Sequence, residues 1–210
     1  MTHTSMSTRA YKAIRSSFLD GRYFPNERLI ETELVTQLNV NRAAVREGLA
    51  RLEQEGLVVR RPGRGAIVRA FTPQESHDIL EMRVQMETLT VRWACERKTP
   101  QQSLQLEQIL ENMVRSSESD DVKGFAKSQA SMHSLVLTMA SANLLTSLVK
   151  TLSAHSALIR HRSLSTPGRL PQSSEEHLRI GEALLRGDCE GAAESMRRHL
   201  KNVQLSTSQW

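Results

Sequence analysis

At 210 residues the chain has room for one large domain or two small ones. Hydrophobic residues at 39% and charged residues at 24% are ordinary for a soluble globular protein, and no window approaches the ~18 apolar residues that a membrane span needs. The formal net charge of +5 is unevenly placed: residues 1–72 hold 12 Lys and Arg against 7 Asp and Glu, whereas residues 73–210 hold 16 of each. A basic segment joined to a neutral body suits contact with a polyanion, either nucleic acid or an anionic membrane surface. The opening residues 1–6 lack the basic-then-apolar layout of a secretory signal. Cys95 and Cys189 have no CxxC partner, which argues against a disulfide framework or a cysteine zinc site and fits a reducing cytoplasm.

Residues 8–20 predict a first amphipathic helix with Tyr11, Ile14, Phe18 and Leu19 on one side, broken by Gly21 to Pro25. Residues 29–38 predict a second short helix, ended by Asn39. Asn41 can cap a third over 42–55, in which Val45, Leu49 and Leu52 recur at helical spacing until Gly56 stops it. Residues 57–61 and 66–69 read as two strands around Pro62-Gly63-Arg64-Gly65, a hairpin. Three helices and a hairpin make the winged helix-turn-helix order. With Val45, Leu49 and Leu52 facing a core, Arg42 and Arg46 share another face near the helix start, where a recognition helix presents side chains to base edges. The arginine fork suits guanine O6 and N7, and Ala43 is small enough to let the helix settle into a groove. Arg60, Arg61, Arg64 and Arg69 make the hairpin basic. The same pattern also describes a solvated basic face on a small helical domain.

Thr72, Pro73 and Glu75 form a helix-start signature. Beyond it lie only helical patterns, over 73–98, 101–118, 121–141, 143–163, 174–187 and 189–206, with a polar break from Ser163 to Ser174. These predict a six-helix antiparallel bundle. In its first helix Ile79, Met82, Met86, Leu89 and Trp93 form an apolar side that also includes Arg83. An arginine facing a bundle interior needs an anionic partner, either an internal carboxylate or the acid group of a bound metabolite. His133 lines up with Phe125, Gln129, Val136 and Ala140; His177 with Ile180 and Leu184; His199 with Ala192, Met196 and Val203. Each is either a satisfied core histidine or one of three that share a ligand or metal in one cavity. Three histidines with open coordination positions are also the layout of a hydrolytic zinc centre. Glu175 and Glu176 are expected in solvent at a helix start, however, so no general base is apparent and no enzyme is expected.

Residues 21–69 resemble the amino-terminal domain of the GntR family of bacterial regulators. The resemblance rests on Gly21-x-Tyr23-x-Pro25, Leu29, Glu31, Leu34, Leu38-x-Val40-x-Arg42-x-x-Val45-Arg46-Glu47-x-Leu49-x-x-Leu52-x-x-Glu55-Gly56-Leu57, Gly63 and Val68. It implies DNA contacts at Thr32, Asn41, Arg42, Arg46 and Gly63, with Ala43 and Arg64 beside them. Asn26 stands where the family commonly has glycine, Asn41 where it has serine or threonine, Ala43-Ala44 where it has Thr-Pro, and Gly48 where it has alanine. Three further segments resemble the FCD ligand-binding domain of the FadR subfamily, in its six-helix, VanR-like branch: Arg83-x-x-x-Glu87; Phe125-x-x-x-Gln129-x-x-x-His133-x-x-Val136 with Asn143 and Leu145; and Glu176-His177-x-x-Ile180 running on through Ala183-Leu184, Gly187-Asp188 and Ala192 to His199.

The resemblance implies a mainly α chain: a winged helix-turn-helix DNA-binding domain at 1–71 and an effector-binding, dimerising domain at 72–210. It further implies a cytoplasmic homodimer that acts as a repressor of a double-stranded DNA operator, with no membrane partner and relief by a small carboxylate metabolite. Effector contacts fall on Arg83, Gln129, His133, His177 and His199, and a divalent metal such as zinc or nickel on His133, His177 and His199. Gln129 stands where metal-binding members carry an aspartate ligand, so the metal and direct binding of the acid by the histidines and Arg83 are both open. A DNA-binding architectural protein whose bundle only dimerises is the rival reading from another class.

Overall fold

The computed structural model describes residues 5–61, 65–159 and 169–207. Among them the order is α1 (Met6–Leu19), β1 (Arg28–Leu29), α2 (Glu31–Leu38), α3 (Arg42–Gln54), β2 (Val58–Arg61), β3 (Gly65–Val68), α4 (Pro73–Arg97), α5 (Pro100–Glu118), α6 (Val122–Ala140), α7 (Asn143–Ile159), α8 (Arg169–Arg186) and α9 (Cys189–Thr207). The chain is mainly helical, with three helices and a hairpin followed by six helices, as expected. It divides into two compact units, one of residues 1–79 with 151–161, the other of residues 80–150 with 162–210.

In the first unit Ile14 and Phe18 of α1, Leu34 of α2 and Val45, Leu49 and Leu52 of α3 are buried together. Ala154 and Leu158, from the last turns of α7, complete this core. Leu19, expected on the apolar side of α1, is exposed because it lies one residue beyond the last buried position, Phe18. Glu55 ties α3 to α1, accepting hydrogen bonds from Tyr11 and Arg15. The hairpin pairs β2 with β3 antiparallel, Val58 opposite Val68 and Arg61 opposite Gly65.

A two-residue strand that the sequence does not announce, β1, pairs with the other edge of β3, giving the order β1-β3-β2. Gly65 permits this pairing: with φ +84, an added Cβ would lie 2.2 Å from the Leu29 carbonyl oxygen. Asn26 leads into β1 with φ 68, a left-handed conformation that glycine adopts freely and asparagine tolerates. That accounts for the exchange at this position. Gly48 lets α1 approach α3, since a Cβ there would meet the Tyr11 backbone nitrogen at 3.0 Å.

In the second unit the core is formed by Val84, Val91, Leu106, Met113, Met132, Leu135, Ile180, Leu184, Met196 and Leu200, among others. The Thr72 hydroxyl accepts from the Glu75 amide at 3.2 Å, and the Glu75 carboxylate accepts from the Thr72 amide at 2.9 Å, closing the capping box that begins α4. The buried side of α4 runs through Leu80, Arg83, Val84, Glu87, Thr88 and Val91. Met82, expected within that side, is 47% exposed because the stripe is rotated by one position.

The break expected over 163–174 is shorter than predicted at its far end, since α8 already begins at Arg169. Pro171 sits in the first turn, where a missing amide leaves no intrahelical bond unmade. Residues 163–168 lie outside the described residues. Cys95 and Cys189 also correct the expectation: they form a disulfide with a Cα separation of 5.3 Å. The end of α4 and the start of α9 bring together two cysteines that 94 positions of sequence keep apart.

Candidate DNA-reading face and candidate ligand site

Asn41 caps α3 through its side-chain oxygen, which accepts from the Ala44 amide at 2.8 Å. This fixes where the helix starts and therefore where its first turn points. Thr32, Asn41, Arg42, Ala43 and Arg46 are all exposed on α2 and the start of α3, whereas Gly63 and Arg64 lie outside the described residues.

Arg42 and Arg46 are organised by a residue whose role the sequence does not reveal. The Glu31 carboxylate, at the first position of α2, accepts from Arg42 Nε at 2.8 Å and from Arg46 Nε at 3.0 and 3.1 Å. The hydrogen bond from Arg42 is the main cause that holds the Glu31 carboxyl below its ordinary range. Because both bonds use Nε, the outer Nη1 and Nη2 of each arginine have no protein partner among the described residues. That outer pair is the fork able to bond guanine O6 and N7 together. Glu31 thus restricts two flexible side chains while leaving their reading edges outward. The contact joins residues 11 and 15 positions apart on two helices, so neither helical period signals it.

In the second unit α4, α6, α8 and α9 bring Arg83, Glu87, Gln129, His133, His177 and His199 together. Arg83 Nε donates to Glu87, one turn along α4, and both side chains are almost wholly buried. Of the two partners open to Arg83, the internal carboxylate is present. The Glu87 carboxyl is pushed up by burial, but Arg83 and then His133 outweigh this and hold it below its ordinary value. His133 Nδ1 lies 3.9 Å from Glu87 Oε2.

The tautomers of two histidines follow from their acceptors. His177 Nδ1 lies 2.7 Å from the Ser173 carbonyl, which can only accept, so Nδ1 carries the proton and Nε2 a lone pair. His199 Nδ1 lies 2.6 Å from the Glu176 carboxylate, which likewise leaves a lone pair at Nε2. Burial first, then the neighbouring His199 and His133, pushes the His177 pKa well below its usual value. Burial also lowers His199, against the opposing pull of Glu176. Both rings are therefore neutral at neutral pH.

Glu176 corrects a further expectation. It is buried, and it accepts from Asn202 Nδ2 at 2.9 Å as well as from His199. Because α8 begins at Arg169, Glu176 lies in its third turn on the inner face, and only Glu175 is exposed.

The fit of a divalent ion is partial. His133 Nε2 and His177 Nε2 are 3.4 Å apart, the separation that two nitrogens adopt at about 2.0–2.1 Å from one tetrahedral zinc. The His177 and His199 ring centroids are 4.6 Å apart. Gln129, however, directs its amide nitrogen to within 3.2 Å of His177 Nε2. Among the described residues no group of three or more His, Cys, Asp or Glu is arranged as a metal cage.

An exposed arginine pair on a capped third helix, beside a paired hairpin, defines a winged helix-turn-helix reader, and the second unit carries an inward-facing polar cluster. Residues 6–68 match the bacterial regulatory proteins of the gntR family, and residues 78–202 match the FCD domain. The chain belongs to the GntR family of bacterial regulators that carry an FCD domain: a DNA-binding transcription regulator and not an enzyme. It is 26% identical over 204 residues to the HTH-type transcriptional repressor RspR of Escherichia coli strain K12, with 97% of this chain and 90% of that protein covered. Its fold is similar to that of E. coli McbR/YncC, with a TM-score of 0.88 at 21% identity over 98% of this chain and 99% of that one. It is also similar to the metal-free FCD domain of TM0439, with a TM-score of 0.55 at 25% identity over 66% of this chain and 94% of that one. Among the described residues no helix is long and apolar enough to cross a membrane.

Proposed function

We propose that this regulator is a cytoplasmic homodimeric repressor of the FadR subfamily, in its VanR-like branch, whose operator affinity is set by a small organic acid bound in the helical domain. In this reading residues 1–71 read DNA through Thr32, Asn41, Arg42, Ala43, Arg46, Gly63 and Arg64. Residues 72–210 dimerise and bind the effector through Arg83, Gln129, His133, His177 and His199. The observation that carries it is the meeting of imidazoles from α6, α8 and α9 beside a buried arginine. A core that needed only packing would not gather three imidazoles and an ion pair at one point. The name of the repressor RspR supports the sign of regulation.

A divalent ion such as zinc or nickel at His133, His177 and His199 would add positive charge and open positions for a carboxylate; the TM0439 domain, named as metal-free, supports a metal in such domains. Direct binding of the acid is the second reading. It is favoured by the Gln129 amide, which occupies the His177 lone pair that a metal would need. Metal analysis of untagged wild-type protein separates the two: about one ion per chain supports the metal, and none supports direct binding. Isothermal titration against a panel of small mono- and dicarboxylic acids tests the shared claim. One saturable acid is expected per chain, lost in His177→Ala while operator affinity is retained. No binder in the panel would favour a bundle that only dimerises.

A further inference from the structure

We propose a second ligand site in the helical domain, between α5 and α6, that takes a small phosphate ester rich in hydroxyl groups. A cavity of about 540 Å³ lies between these antiparallel helices, a size ordinary for a small-molecule site. It is lined by residues other than those of the histidine cluster, and Ile109 is the one large apolar side chain in its lining. The remaining wall is polar: four serines, an asparagine, two cations and one acid. Such a wall sets many hydrogen-bonding groups among the apolar stems of its side chains, which suits a ligand that hydrogen-bonds.

The donors are placed for an anion. Ser128, 8% exposed as a residue, lines the cavity and can offer its hydroxyl to a ligand there. Across from it on α5, Ser116 stands over Gly124 of α6, where an added Cβ would come within 2.6 Å of Ser116 Oγ. Gly124 also leaves room for the capping Asp121 carboxylate, whose Oδ2 would lie 2.2 Å from an added Cβ. Arg115 and Lys127 supply one positive charge from each helix, and neither has a carboxylate partner among the described residues. The acid, Asp121, is engaged by the Gly124 amide at 3.0 Å as the cap of α6. Two cations against one engaged carboxylate favour an anion, and a phosphate monoester near neutral pH meets both cations with its two charges. The ester's hydroxyl groups would find partners among the serines and Asn112.

The test is titration of the full-length wild type with glucose 6-phosphate and, separately, with inorganic phosphate, followed by calorimetry. Lys127→Gln, Ser128→Ala and Arg46→Ala are titrated alongside. Saturable binding of glucose 6-phosphate is expected at one per chain, more tightly than inorganic phosphate. It should weaken about tenfold or more in Lys127→Gln and in Ser128→Ala, and stay unchanged in Arg46→Ala. Lys127 is exposed, so Lys127→Gln tests the site without threatening the core. Absence of saturable binding would overturn the proposal. So would binding that survives both α6 substitutions but is lost in Arg46→Ala, because the phosphate would then be held by the DNA-reading face.

Discussion

Replacing Arg46 with alanine lowers affinity for the specific operator by about 5- to 150-fold, roughly 1–3 kcal/mol. The side chain is exposed and its one protein partner among the described residues is Glu31, so the fold is expected to survive its loss. What disappears is an outward fork already restricted by Glu31, whose entropy of ordering is partly met before DNA arrives. The loss should be larger on specific than on random DNA, since a base contact carries sequence information and a phosphate contact does not. Competition binding on both DNAs at one salt concentration reads this difference. Equal loss on both would reassign Arg46 to the phosphate backbone, and no loss would remove it from the interface. Glu31→Gln is the companion variant: it removes the charge that draws the two arginines together, so it should narrow the gap between specific and random DNA.

Replacing Arg83 with leucine destabilises the helical unit by about 3–5 kcal/mol, because it leaves the Glu87 carboxylate buried without its principal counter-charge. The double replacement Arg83→Leu, Glu87→Leu should recover much of that loss, since an apolar pair has no desolvated charge to compensate. Urea unfolding followed by helical circular dichroism measures both. A single variant as stable as the wild type would mean that His133 alone satisfies Glu87. The double variant should nevertheless lose effector binding, which separates what the pair does for folding from what it does for the ligand.

The elements that were legible are those whose information is local. Val45, Leu49 and Leu52 define α3 by period, Asn41 marks its start, and Thr72 with Glu75 marks the start of α4. The three histidines could be placed on inner faces because each sits in an apolar stripe of its own helix. What was not legible depends on contacts between elements. Strand β1 is two residues long and exists because Gly65 lets Leu29 approach. The Glu31 clamp joins two helices, and the disulfide joins the end of α4 to the start of α9. Glu176 lies deeper in its helix than the sequence suggests for a simpler reason: Pro171 has the look of a break but lies in the first turn of α8, so the helix begins well before Glu176.

Gln129 sharpens the chemistry of the cluster. Its amide donates to the His177 Nε2 lone pair, where a carboxylate could only accept. The central claim is that a ligand at this cluster governs the DNA reader. Its most direct test is operator affinity, by fluorescence anisotropy, for wild type and His177→Ala with and without the small carboxylic acids. The account predicts that one acid shifts wild-type affinity by about fivefold or more and leaves the His177→Ala value unmoved. An equal shift in both proteins, or none in the wild type with any acid, would contradict it.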